Sequence, residues 1–194
     1  MSIIGIDPSL TSTGVSDGTR HMLLTTVPGE DVPPLTDTIR RVELQMHQLK
    51  AWLPSESRIH VFYVEDVLKT MVMRGSTDAD GNVKATVGAG HLFEMGVWFT
   101  IFHQTFSNYR LVTPSQLKSY VAGKGNFPKA KMPLAVFKRW NIEFDSDAGL
   151  DKLHGYCLYR LGMEVENGTY ELTETKRRGQ GQNAKAVTKR RARS

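Results

Sequence analysis

The sequence predicts an α/β fold built on a mixed sheet with helices on both faces. Its first 26 residues hold three short β-prone pieces joined by turn chemistry, the pattern of an antiparallel meander. Residues 58–67, RIHVFYVEDV, form a near-continuous apolar run, as a strand buried on both faces does. After the meander, strands alternate with helical repeats. The order βββαβαβαα therefore joins a hairpin meander to strands that return in parallel.

Each element has its own signal. SIIGID (2–7), TSTGVS (11–16) and HMLLTT (21–26) are the meander strands, broken by Pro8-Ser9 and Asp17-Gly18. Pro33 and Pro34 precede a helix over 35–53, where Ile39, Val42, Met46, Leu49 and Leu53 recur at spacings of three and four, and Pro54 ends it. Beyond the 58–67 strand, RGSTDADGN (74–82) reads as a mobile loop. A long helix is expected over 84–104. It contains Gly88, Gly90 and Gly96, and each glycine costs about 1 kcal/mol in a helix interior. Either the helix starts only near His91, or its backbone approaches another helix or a nucleic acid closely. YRLV (109–112) is a strand, and Thr113 and Pro114 are the cap and first position of a short helix. GKGNFPKAKM (123–132) is a turn, followed by an apolar helix to Trp140. The last helix is expected over 147–163, with 164–173 a weak strand or coil.

At 194 residues the chain suits a single core, and no apolar run reaches the length of a membrane span. The start, MSIIGID, lacks a signal peptide's pattern, and the single cysteine, Cys157, has no partner in the chain. A reducing cytoplasm is the expected location. The net charge of +5 conceals an asymmetry. Residues 176–194 carry eight of the 25 Lys and Arg and no acid, which leaves 17 basic against 20 acidic side chains elsewhere. The expected organisation is a folded domain over 1–164 and a basic, flexible arm over 165–194 that either binds a polyanion or simply aids solubility.

Two strands end in acid. Asp7 closes the first and Glu65 the fourth, and in α/β proteins the C-terminal ends of parallel strands open onto the crevice where chemistry is placed. Carboxylates held together repel unless a cation sits between them. Mg²⁺ or Mn²⁺ suits oxygen ligands, whereas His and Cys are too scattered here to form a zinc motif. In FDSDAGLDKLHGYCLYRLG, Asp147 and Asp151 lie four apart on one helical face beside an apolar stripe of Leu150, Leu153, Cys157 and Leu161. Either they are cap and solvated residues, or they bring further acid to the same crevice. His154 lies on the side of Asp151, where it either touches a metal or scissile phosphate or is a hydrogen-bonded packing residue.

In chain order these segments resemble the RuvC-like Holliday junction resolvases of the ribonuclease H-like superfamily, most closely the phage-encoded members. The resemblance spans about residues 2–163 and rests on IIGIDPSLTSTGVS, FYVEDVL, LVTPSQLKSYVAGKGNFPKAKM and GLDKLHGYCL. It implies a ribonuclease H-like fold, with a five-stranded sheet made of the three-strand meander and two parallel strands. It further implies metal-ligand and catalytic roles for Asp7, Glu65 and Asp151, and a fourth acid in the preceding turn. Many members carry that acid three residues before the last aspartate. That position is Ala148 here, so Asp147 is the candidate and Asp145 the alternative.

The implied activity is a Mg²⁺-dependent endonuclease, with two ions per site and Mn²⁺ able to substitute. It would resolve four-way junctions by paired symmetric nicks that leave 5′-phosphate and 3′-hydroxyl ends. A homodimer supplies the two-fold symmetry such a junction requires, and the apolar helix with Phe93, Val97, Trp98, Ile101 and Phe102 is wide enough to serve both core and dimer contact. DNA held against an acidic pocket needs cations around it. Arg74 and Lys84 flank the 74–82 segment, Lys118, Lys124, Lys129 and Lys131 flank the glycine turn, and Lys176, Arg177 and Arg178 open the basic arm. Phe127 either wedges between bases at a branch point or packs into the core. The competing readings are a flap or fork endonuclease, a non-catalytic DNA-binding protein, and an actin-like ATP-binding domain, for which the chain is too short to hold the required pair of domains.

Overall fold

The computed structural model describes residues 1–55, 59–68, 76–77, 83–84, 89–144 and 149–172. Its strands and helices follow in the order β1 (Ser2–Asp7), β2 (Ser12–Ser16), β3 (His21–Thr25), α1 (Pro34–Trp52), β4 (His60–Glu65), β5 (Ser76–Thr77), β6 (Val83–Lys84), α2 (Ala89–Thr105), β7 (Tyr109–Val112), α3 (Pro114–Ala122), α4 (Met132–Trp140) and α5 (Gly149–Glu166). Five of the strands form one mixed sheet in the order β3-β2-β1-β4-β7. β1 pairs antiparallel with β2, and β2 with β3, whereas β1 to β4 and β4 to β7 are parallel. This is the expected meander plus two parallel strands.

Both faces of the sheet are buried, and the period-two alternation of the central strands assigns each side chain to a face. Ile4, Ile6, Phe62 and Val64 join Val42, Met46 and Leu49 of α1 and Met95, Trp98 and Phe102 of α2 in one core. Ile3, Val61 and Tyr63 join Leu117 and Tyr120 of α3, Met132 and Val136 of α4, and Leu153, Cys157 and Leu161 of α5 in the other. Trp98 is fully buried, its ring stacked 4.9 Å from that of Phe102.

Local signals explain the boundaries. Thr113 caps α3 by accepting from the Gln116 backbone N–H while the Gln116 side chain accepts from the Thr113 N–H, a reciprocal capping box with Pro114 in the first turn. Gly123 then ends α3 in the left-handed conformation, at φ 77°.

Three expectations change. The 74–82 segment, read as a loop, contributes Ser76–Thr77, which pairs antiparallel with Val83–Lys84. Lys84 is thus a strand residue, and α2 begins at Ala89. Of the three glycines, Gly88 lies outside the described residues. A Cβ on Gly90 or Gly96 would meet nothing within 4 Å, so no close approach among the described residues explains them. The final helix continues to Glu166 instead of ending near 163, so the stretch expected as weak strand or coil opens as helix and only then turns into coil, where Tyr170 and Leu172 still pack against the core.

Candidate metal and active site

The site begins with register. Ile6 lies opposite Val64 in the parallel β1–β4 pair, so the next residues, Asp7 and Glu65, end their strands side by side. Alternation then turns both in the direction of Ile3, Val61 and Tyr63, onto the face that α5 covers. Carboxylates side by side in a core would ordinarily be rejected. Here they meet a helix that brings an imidazole to them.

Glycines let α5 come that close. A Cβ on Gly5 would lie 2.0 Å from the Gly155 carbonyl oxygen, and one on Gly14 would lie 2.0 Å from the Asp151 carbonyl oxygen. With hydrogen there instead, the helix backbone rests directly on β1 and β2. His154, adjacent to Gly155, is thereby lowered onto the strand ends. Its Nδ1 lies 3.2 Å from Asp7 Oδ2 and 3.4 Å from Glu65 Oε2. These are charge contacts without hydrogen-bond alignment, and neither buried ring nitrogen has a hydrogen-bond partner. All three side chains are buried, at 7% exposure for Asp7, 5% for Glu65 and 3% for His154.

A polar hub holds the turn that follows Asp7. Gln45, fully buried on α1, donates through Nε2 to the carbonyls of Ser9 (2.9 Å) and Leu10 (3.1 Å). Its Oε1 accepts from Trp98 Nε1 at 2.9 Å and lies 3.0 Å from the Thr13 hydroxyl. Thr13 in turn donates to the Ser9 carbonyl at 2.7 Å. The β1–β2 turn is thus tied to both α1 and α2, which gives Asp7 a rigid support.

Burial and mutual repulsion set the charges. Removal from water, reinforced by the neighbouring Glu65, raises the Asp7 carboxyl to about 7 against the pull of His154. His154 moves up to about 9: burial opposes its charge, but the contacts with Asp7 and Glu65 outweigh it. Glu65 is lowered despite its burial, by His154 first, with Lys129 among the positive charges that act on it. The ion-free site thus holds an imidazolium between two acids.

The pH dependence follows in sign. Between about 4 and 7 the native state holds a proton on Asp7 that the unfolded chain has lost, and between about 6.5 and 9 the same is true of His154. Each makes stability fall as pH rises through its window. Urea unfolding without divalent cations is expected to show a midpoint that declines from pH 5 to pH 9, and a flat or rising profile would contradict this charge arrangement.

Among the described residues, one ligand atom each from Asp7, Glu65 and His154 lie within 4.8 Å of one another, the spacing that a shared cation requires. Two buried acids and an imidazole without hydrogen-bond partners suit a divalent ion of mixed oxygen and nitrogen preference. Asp151, half-buried in the first turn of α5, is not in that set. Asp147 and Asp145 lie outside the described residues, as do Arg74, Lys176, Arg177 and Arg178, and the side chain of Lys84 is not described. Lys124, Lys129 and Lys131 are exposed along the turn before α4, and Lys118 is half-buried on α3. Phe127 is half-buried and packed against the α5-side core. His154, read from sequence as either a contact group or a packing residue, sits between the two acids. The signal that could have singled it out is its position directly before Gly155, the helix residue that lies against the strands.

A five-stranded mixed sheet in this order, covered by helices on both faces, with acids at the ends of its two central parallel strands, defines a ribonuclease H-like fold of the RuvC type. The chain is similar to the structure of Thermus thermophilus RuvC, at 17% identity and a TM-score of 0.51 over 87% of this chain and 98% of that one. It is equally similar to T. thermophilus RuvC in complex with Holliday junction substrate, at 17% identity and a TM-score of 0.51 over 87% of this chain and 97% of that one. No protein-family model and no curated protein sequence matches it.

Proposed function

We propose that this chain is a divalent-metal-dependent endonuclease that resolves four-way DNA junctions by paired, symmetric nicks. The observation that carries the reading is the convergence of Asp7, Glu65 and His154 at the ends of the central parallel strands of a RuvC-type fold. Asp7 and Glu65 would hold the ion through oxygen and His154 through a ring nitrogen, with Asp151 and Asp147 completing a second position. Bound Mg²⁺ or Mn²⁺ supplies an activated water and charge stabilisation in phosphodiester hydrolysis, two ions serving the attacking and leaving oxygens. The imidazole makes Mn²⁺ at least as suitable as Mg²⁺.

The chain's own groups do the rest. The buried walls around Asp7 and Glu65 keep bulk water from screening them. Arg74, Lys84, Lys118, Lys124, Lys129 and Lys131 are proposed to hold the DNA backbone. Cleavage is expected to leave 5′-phosphate and 3′-hydroxyl ends. A homodimer would form through α2, where Phe93 is 48% exposed and, with Ile39, Gly96, Val97 and Ile101, lines an open groove of about 580 Å³. A flap or fork endonuclease on the same site is the second reading, because the acids act on any phosphodiester.

The test is to incubate labelled four-way junction, flap, fork and duplex with Mg²⁺ or Mn²⁺ and map the cuts. Symmetric nicks in opposite strands of the junction are expected. Preferential flap cleavage would favour the second reading, and no cleavage of any substrate would refute both. Deleting residues 176–194 removes eight cations. It is expected to flatten the salt dependence of DNA binding while leaving junction cleavage intact. An unchanged slope would remove the arm from the interface.

A further inference from the structure

The lysine turn before α4 leads into a groove between α3 and α4 that the metal site does not use. It is open, about 400 Å³ in volume, and walled by Val121, Phe127, Leu134 and Ala135, with Lys138 and Arg139 also lining it. Leu134 is 54% exposed, and Phe137, one turn further along α4, is 41% exposed. A concave apolar surface rimmed by polar or charged side chains has the character of a ligand-binding groove. Arg139 is held in place: its guanidinium lies 4.4 Å over the Tyr120 ring, donates to the Tyr120 carbonyl and pairs with Glu164 at 3.8 Å. The groove is therefore a preformed concavity with apolar walls and positive charge.

Charge complementarity selects the occupant. Exposed Lys124, Lys129 and Lys131 belong to the turn between α3 and α4 that carries Phe127 to the groove wall, and exposed Lys138 stands on the wall itself. A polyanion strand held by those cations meets an apolar slot of about 400 Å³, a volume that exceeds that of a base. We infer that the α3–α4 groove binds a nucleobase unstacked from the branch point of the DNA, its ring against Leu134 and Phe127 and its phosphate near Lys138. The inference rests on the nuclease reading and adds a base-binding subsite to it. Ring contacts of this kind tolerate any base, so the groove would contribute to recognition of branched over fully stacked DNA without reading sequence.

The experiment measures binding in Ca²⁺ to three probes: a four-way junction carrying 2-aminopurine at the branch point, single-stranded DNA, and blunt duplex. Wild type is expected to bind junction and single strand more tightly than duplex, with a change in 2-aminopurine emission. Leu134→Glu should weaken junction and single-strand binding about tenfold and abolish the emission change, with duplex affinity and thermal unfolding unaltered. Lys138→Glu, on the outer face of α4, should reproduce the loss without touching the core. Junction cleavage by wild type, with both variants matching it in affinity and emission, overturns the groove alone. Self-association that Leu134→Glu removes while DNA binding stays intact assigns the groove to a second copy and also overturns it. A wild-type chain that neither binds nor cuts any of these DNAs refutes the nuclease reading and this subsite with it.

Discussion

Asp7→Asn is expected to lower junction cleavage by about a hundred- to a thousandfold, the scale lost when one charge-stabilising group leaves an active site, while DNA binding stays measurable. The asparagine fills the same volume at the end of β1, and its amide N–H can donate to the Glu65 carboxylate. What disappears is the anion. A divalent ion between Glu65 and His154 alone has lost one of the two negative charges that offset its dehydration. The same substitution is expected not to lower the unfolding midpoint in ion-free buffer at pH 8. The wild-type carboxyl is pushed up to about 7 by burial and by Glu65, so at pH 8 it is an unfavourable buried charge. Loss of cleavage with retained or raised stability distinguishes a functional carboxylate from a structural one. Full activity in this variant would remove Asp7 from the site, whereas a sharp loss of stability would assign it a mainly structural role.

Gly5→Ala is expected to cost about 3 kcal/mol or more, a large part of the 5–15 kcal/mol that holds a typical domain together. The added methyl would sit 2.0 Å from the Gly155 carbonyl oxygen and 2.3 Å from the Tyr159 amide nitrogen, both backbone atoms of a helix that cannot turn aside as a side chain can. The helix must lift. Lifting separates His154 from Asp7 and Glu65, so cation binding is expected to weaken together with stability. Gly96→Ala provides the contrast, because its Cβ would meet nothing within 4 Å and the substitution relieves a helix-interior glycine. It is expected to stabilise by up to about 1 kcal/mol. Denaturant unfolding of the two variants checks both, and a Gly5→Ala chain as stable as wild type would show that α5 is not seated through this contact.

The two central acids were legible because each ends an apolar run, and a carboxylate at the end of such a run is conspicuous in one dimension even where, as at Glu65, a second acid follows it. The glycine turn and the capped helix after Thr113 were legible for the same reason, since caps and turns depend on residues within four positions of each other. The small β5–β6 pair was not, because two-residue strands carry too little periodicity to separate them from a polar loop. Gly90 and Gly96 left two readings open, because glycine is permissive and its presence does not say whether anything lies close to it; α2 begins at Ala89, near the later of the two expected starts. His154 shows the limit most clearly. In sequence it is one histidine on a helix, and its neighbours Asp7 and Glu65 stand 147 and 89 positions away.

The order of elements, the buried character of β1 and β4 and the acid at the end of each are written along the chain, since they follow from hydrophobic period and local turn chemistry. Which groups come close enough to share an ion is a property of distances across the sheet. It was settled by the parallel register that places Asp7 beside Glu65 and by the glycine contacts that let α5 press His154 between them. Short-range preferences act on adjacent residues, whereas the charge coupling that raises one carboxyl and lowers the other exists only once packing has excluded water and brought the three groups together.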